Sequence, residues 1–286
     1  LLFVAGEFDD ATAALHQATE HGAAPQLLAY LDTACALRTG SGRAARAALS
    51  QHLAAAPDPL HTDMPWLAAT VGAPVLFVPV GSTEQHGPHL PLDTDTSIAV
   101  VVAERLAARA RAAGADAVVA PAIAYGSSGE HQDFPGTISI GTAALELMVI
   151  ELGRSASSWA GRIVFVNGHG GNLDALKTAV RVLRSEGRDA VWLPCASDDG
   201  GAHDAHAGYD ETAVQLHLRA GYVRETRFEP GATASIGELL PRLRAEGVRP
   251  VSPNGVLGDP SGASADAGES LLAAIVDAAW RRFTDA

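Results

Sequence analysis

Four short apolar runs constrain this chain more than any other feature. They are PVLFVPV (residues 74–80), AVVAPAI (117–123), RIVFVNG (162–168) and DAVWLP (189–194). The first is apolar without interruption, the pattern of a strand covered on both faces. Between and after the runs lie segments with helical spacing, at 96–113, 142–159, 172–186, 211–218 and 265–283. Strands alternating with helices imply crossover units of one hand and a mainly parallel sheet between two helical layers. The expected fold is therefore α/β, a three-layer αβα arrangement. In such sheets ligands meet the chain beyond the carboxyl ends of the strands. The loops that follow the runs are where chemistry is expected.

Residues 1–58 have a different character. FDDATAALHQATEHG, PQLLAYLDTACALRTG and SGRAARAALSQHLAAAPDP each start with a cap or proline and stop at glycine or proline. They read as a short all-α extension with tetratricopeptide-like helices, ahead of a main unit at 59–286. No second copy of a 34-residue period is visible, and such arrays need several repeats for stability. The whole chain of 286 residues carries a net charge of −13, which disfavours nucleic acid and anionic membrane as partners. No apolar run approaches the 18 residues of a spanning helix, and the start lacks the basic region of a signal peptide. Two cysteines, Cys35 and Cys195, form no CxxC spacing and no disulfide framework. That usage fits a cytoplasmic location.

Three polar clusters follow the apolar runs. In GSTEQHGPHLPLDTD (81–95), Glu84 and His86 are two apart, so an extended chain points both to one side. Gly87, Pro88 and Pro91 turn the chain and return Asp95 to them. His89 reads as a loop residue packed on prolines, Asp93 as a turn former, and Thr94 or Thr96 as a helix cap. In VFVNGHGGN (164–172) three glycines surround His169, and Asn172 is placed to cap the next helix. GHGG lacks the lysine of a phosphate loop and the spacing of a dinucleotide fingerprint. In HDAHAGYDET (203–212) the notable members are His206 and Glu211. A further pair, Glu130 and His131 in SSGEHQDF, follows another run and is expected to contact substrate or an adjoining subunit.

Each residue has a bland reading: acids at helix starts are caps, and a lone histidine in a turn is structural. Jointly the clusters say more. Glu84, His86, Asp95, His169 and Glu211 provide nitrogen and oxygen donors without sulfur, which suits Zn, Mn or Fe(II). Five are too many for one catalytic zinc and suit two metals sharing a carboxylate.

The same stretches resemble the creatininase (creatinine amidohydrolase) family. VPVGSTEQHGPHLPLDTD, VNGHGGN, HAGYDET and NGVLGDPSGASADAGESLL carry the resemblance, from about Met64 to the C-terminus. APAIAYGSSGEHQDFPGTISIGT and RSEGRDAVWLPC look like its mycofactocin-system branch. The resemblance implies a dinuclear metal-dependent amide hydrolase that removes a C-terminal Val-Tyr dipeptide from the modified mycofactocin precursor peptide. A small cyclic amide or a formamide is the other substrate class it allows. It implies two divalent ions (Fe2+, Zn2+ or Mn2+), with Glu84, Asp95 and His169 at one, and His86, Asp95 and Glu211 at the other. Creatinine-cleaving members place a carboxylate two positions after the histidine of NGH. Gly171 stands there in this chain, and Glu211 is the expected substitute. His206 is expected to give a proton to the departing amine. A homo-oligomer is implied by resemblance alone.

Overall fold

The computed structural model describes residues 73–198 and 204–286. The extension expected at 1–58 and the start of the main unit lie outside the described residues. So do His203, His16, His21, His52, His61 and Cys35.

Four parallel strands form one sheet: β1 (Val75–Val80), β2 (Ala117–Val119), β3 (Arg162–Asn167) and β4 (Ala190–Pro194). Their order is β2-β1-β3-β4. The register sets Phe77 beside Val119 on one neighbour and Val164 on the other. Among the described residues six α-helices follow: α1 (Thr94–Ala112), α2 (Thr142–Ala156), α3 (Leu173–Ser185), α4 (Tyr209–Arg219) and α6 (Ala265–Asp285) cover the sheet, and α5 (Ile236–Glu246) packs on the loops.

The pleat sends alternate residues to opposite faces, and both faces are dry. Leu76, Val78, Val80, Ile163 and Phe165 pack on Leu145 and Val149 of α2 and Leu176 and Leu183 of α3. Phe77, Val164, Val166 and Val191 pack on Val102 and Leu106 of α1, Val214 of α4, and Leu272 and Val276 of α6. This is the three-layer sandwich expected from uninterrupted apolar runs. Each fully buried side chain of this size contributes about 1.5–3 kcal/mol over its exposed state.

Three local expectations fail for identifiable reasons. The second run forms regular strand only to Val119, because Pro121 has no N–H to continue the ladder. Its continuation keeps one isolated bridge, Ile123 to Val80. Neither Thr94 nor Thr96 caps α1. Thr94 Oγ1 donates back to Pro91 O at 2.8 Å and Thr96 Oγ1 to Ser82 O at 3.2 Å, while Asp93 holds the N-cap position. Asn172 does not cap α3 with its side chain either. Its amide donates to Gly81 O at 3.0 Å and its Oδ1 accepts from Ser127 N at 2.9 Å. A fully buried amide that ties three strand ends together satisfies more buried backbone than a local cap would.

α5 has no counterpart in the expected elements, because Pro241 lies inside it. Ser235 and Glu238 form a capping box at its start, and Leu239 and Leu243 bury against Val248 and Leu257. Cap and burial together outweigh the proline.

Candidate metal centre

The strand ends converge as the parallel topology requires. Glu84 N donates to Leu92 O at 3.1 Å and closes the loop after β1. That closure carries Asp95 back in the first turn of α1. β3 arrives beside it: Gly168 N donates to Val80 O at 2.8 Å. A Cβ on Gly168 would lie 2.4 Å from Asp95 O, so only glycine lets the strand end pass this close. His169 follows directly. His206 is held by an antiparallel bridge with Leu257, and Glu211 projects from the first turn of α4. Its Oε2 accepts from Ala207 N at 2.6 Å.

All six of these residues meet. Glu84, Asp95 and His169 bring donor atoms within 4.8 Å of one another, and so do His86, His206 and Glu211. His86 Nε2 is 3.1 Å from Asp95 Oδ1 and 3.8 Å from Glu211 Oε2. His169 Nδ1 is 3.4 Å from Asp95 Oδ2. His206 Nδ1 is 3.7 Å from Glu84 Oε1.

Hydrogen bonding decides which ring nitrogen faces this cluster. A backbone carbonyl only accepts, so a ring nitrogen bonded to one must carry the proton. His86 Nδ1 donates to Glu84 O at 3.1 Å. His169 Nε2 donates to Ser127 O at 3.1 Å. His206 Nε2 donates to Gln85 O at 2.8 Å. His86 and His206 therefore turn the other nitrogen toward the carboxylates; His169 turns Nδ1 toward Asp95, while its Nε2 also stands 3.2 Å from Glu84 Oε2. His131 is the reverse. Its Nδ1 accepts from the Gln85 amide at 2.8 Å, which leaves its N–H at Nε2, 3.3 Å from Glu84 Oε1. The grouping of Glu84, His131 and His206 thus offers an N–H where an ion needs a lone pair.

The donor set fits a cation on an independent observation. Both carboxylate oxygens of Glu84, and Oδ2 of Asp95, are buried without a hydrogen-bond partner. A buried carboxylate without hydrogen bonds is costly unless a positive charge is close. The electrostatics repeat the demand. Burial pushes the Glu84 carboxyl up to about 7. Burial pulls the His86 imidazole down, but Asp95, and after it Glu211 and Glu84, outweigh this and hold it at about 10. His169 is likewise held at about 10, by Glu84, Glu130 and Asp95 against burial. Protons sit where positive charge is wanted, and a metal ion would displace them. His206 is pushed well below the usual range, first by burial and then by His86 and His131, so it stays neutral. Cys195 lines the same cavity, yet burial pushes its thiol far up and removes it as a thiolate donor.

The cluster opens into a cavity of about 960 Å³. Ile236, Leu240, Lys177 and Arg244 line its outer part. Glu211, whose side chain is 23% exposed, faces that space, whereas Glu84 is fully buried. Both residues expected at substrate line the cavity: Glu130 is about a third exposed there, and His131 is 3% exposed with its Nε2 3.3 Å from Glu84 Oε1. His89 lies in the loop after β1, as expected, but is buried there on partners from elsewhere. It bonds Thr212 Oγ1 at 2.8 Å and meets the Phe228 ring edge-on. Gln85, which no motif singles out, bonds two of the imidazoles, His131 through its amide and His206 through its backbone carbonyl. Its place between Glu84 and His86 was the only signal.

A family model described as Creatininase: Creatinine amidohydrolase matches residues 62–283. The chain belongs to the creatininase family. Membership makes it a hydrolase of amide bonds, and the family is metal-dependent. It is similar to mycofactocin precursor peptide peptidase of Mycolicibacterium smegmatis, with 58% identity over 205 residues, 71% of this chain and 82% of that one. It is 55% identical to the protein of that name in Mycobacterium tuberculosis, over 73% of this chain and 84% of the relative. Creatinine amidohydrolase of Pseudomonas putida is 30% identical over 227 residues, 69% of this chain and 84% of that one. Among solved structures, a creatininase superposes with TM-score 0.61 and 27% identity, covering 76% of this chain and 92% of that one. A structure titled Creatininase Mn gives 0.60 at 28% identity over the same shares. A creatininase variant described as Zn-Zn type gives 0.59 at 28%, over 74% of this chain and 90% of that one.

Proposed function

We propose that this chain is a dinuclear peptidase that releases a C-terminal Val-Tyr dipeptide from a modified precursor peptide of the mycofactocin type. The buried oxygens of Glu84 and Asp95 that lack hydrogen-bond partners, grouped with three imidazoles beside a large cavity that Asp95 lines, carry this reading. Glu84, Asp95 and His169 would hold one divalent ion, and His86, Asp95 and Glu211 the other, with Asp95 shared. Zn2+, Mn2+ and Fe2+ all suit these donors. When bound, such ions supply a Lewis acid for the scissile carbonyl and a water that ionises near neutral pH.

The chain's own residues do the rest. Neutral His206 presents Nδ1 and takes the proton from the attacking water as the new C–O bond forms. As the C–N bond breaks, the same nitrogen returns that proton to the amine of the departing dipeptide. An amine leaves poorly without it. The backbone carbonyl of Gln85 keeps the His206 ring in the required tautomer.

Substrate size supports a peptide over a small ring. A cavity of about 960 Å³ is at the upper end of the range for small-molecule sites, and a ring the size of creatinine would fill little of it. The likeness at 58% identity to proteins named as precursor peptide peptidases points the same way. The test is to load the protein with Zn(II), Mn(II) or Fe(II) and offer three substrates: a precursor peptide ending in Val-Tyr, creatinine, and a formamide. Loss of the dipeptide by mass spectrometry, with neither small amide turned over, is the expected outcome. Turnover of a small amide with the peptide left intact would reject the peptidase reading and retain the hydrolase.

A further inference from the structure

We propose that the segment Ser127–His131 braces the enclosed metal position, with Glu130 and His131 acting on the residues that hold the ion and not on substrate. The proposal rests on Glu84 and His169 being metal-holding residues. Four groups of the segment reach that position. Ser127 O accepts from His169 Nε2 at 3.1 Å. Glu130 Oε1 stands 3.4 Å from the same nitrogen, and Ser128 Oγ is also 3.4 Å away. His131 presents its Nε2–H 3.3 Å from Glu84 Oε1, because its Nδ1 is engaged by Gln85. The segment thus addresses Nε2 of one imidazole, a nitrogen that also stands 3.2 Å from Glu84 Oε2, and one oxygen of one carboxylate.

Gly171 is shaped around this arrangement. A Cβ there would lie 2.6 Å from Glu130 Oε1 and 2.2 Å from Ser127 O. The space that a side chain at 171 would take is the space through which Glu130 reaches His169. The segment is also anchored from outside, since Glu130 O accepts from Val248 N at 2.8 Å. A carboxylate on the outer N–H of a metal-holding imidazole fixes the ring and raises its basicity. A donor near one oxygen of Glu84 favours presentation of the other. Both effects act on one metal position and leave the position at His86 and Glu211 alone.

The experiment measures Zn(II) affinity of each position by chelator competition, and Co(II) absorption as a signature of coordination, on the full chain. Glu130→Ala is expected to weaken one of two binding events about 10–100-fold and leave the other unchanged. Glu130→Gln, which keeps an acceptor without the charge, should recover part of the loss, and His131→Gln, which keeps an N–H, should fall less than His131→Ala. KM for the peptide should not change. Unchanged affinities with a raised KM would overturn the brace in favour of substrate contact, and equal weakening of both events would overturn its selectivity. Thermal unfolding of the metal-free variants checks folding; if Glu130→Ala fails to fold, Glu130→Gln alone decides. His169→Ala in the same titration separates the parent assignment. If it leaves both events intact, the metal-holding residues are misassigned. If it removes one while Glu130→Ala and Glu130→Gln do nothing, only the brace is wrong.

Discussion

The two candidate metal positions share Asp95 and differ in enclosure. Glu84, Asp95 and His169 are each at least 94% buried, and three of their carboxylate oxygens lack a partner. Glu211, at the other, is 23% exposed on the cavity side and already accepts a backbone N–H from Ala207. In a low-dielectric pocket an unpaired carboxylate demands a cation more strongly than a partly solvated one. The enclosed position should therefore bind first and hold tightest. The open one should exchange more readily and lie nearer the substrate. Burial sorts similar donors into different duties.

The largest expected effect tests the enclosed position. His169→Ala removes the imidazole grouped with Glu84 and Asp95. Activity should fall by at least about 10²–10⁴-fold, the scale of losing a central catalytic group, with one ion lost by elemental analysis. Full metal content with normal turnover would break the comparison at its stronger side.

Glu211→Gln probes the open position. One equivalent of metal should be weakened about 10–100-fold while the tighter equivalent stays. Equal loss of both, followed in the same competition assay, would show that the two positions are not independent in the way their enclosure suggests.

Asn172→Ala loosens the ends of β1 and β3 without touching a donor. Gly81 O and Ser127 N would lose their buried partners, a cost of about 1–3 kcal/mol for each unsatisfied group. Denaturant unfolding of the metal-free protein should report that loss, and a change under about 0.5 kcal/mol, the range of ordinary surface substitutions, would reject the clamp.

The smallest effect lies in acid. Burial, and then His86, push the His89 imidazole down to about 4. A group whose folded value lies below its unfolded value binds fewer protons when folded. Its stability is present above the unfolded value near 6.5 and is lost as pH falls through about 4. His89→Gln keeps a partner for Thr212 and removes the titration. The variant's stability should fall less than the wild type's between those values. Parallel stability–pH curves would assign the acid sensitivity to other groups.

Much of this could be read along the chain, and the reasons are local. Glu84 and His86 declare themselves by a spacing of two after an apolar strand, and His169 by glycines on both sides. Other features could not be read. Asn172 looks like a cap because the competing partners, Gly81 O and Ser127 N, lie 91 and 45 residues away. The nearness of His131 to Glu84, 47 positions away in sequence, could not be read along the chain either. α5 was hidden by Pro241, although its capping box, Ser235 with Glu238, stood in plain sight.

What the sequence alone determined is the layer architecture and the donor types. Uninterrupted apolar strands can only be covered on both sides, and a sulfur-free set of histidines and acids can only serve oxygen- and nitrogen-preferring ions. What only the tertiary structure decided is which nitrogen of each imidazole faces the site and which carboxylates are left unpaired. Those depend on carbonyls delivered by other strand ends: Ser127 O to His169, and Gln85 O to His206. A side chain's chemistry is written at its own position, but its tautomer and its desolvation are set by neighbours that the chain brings in from far away.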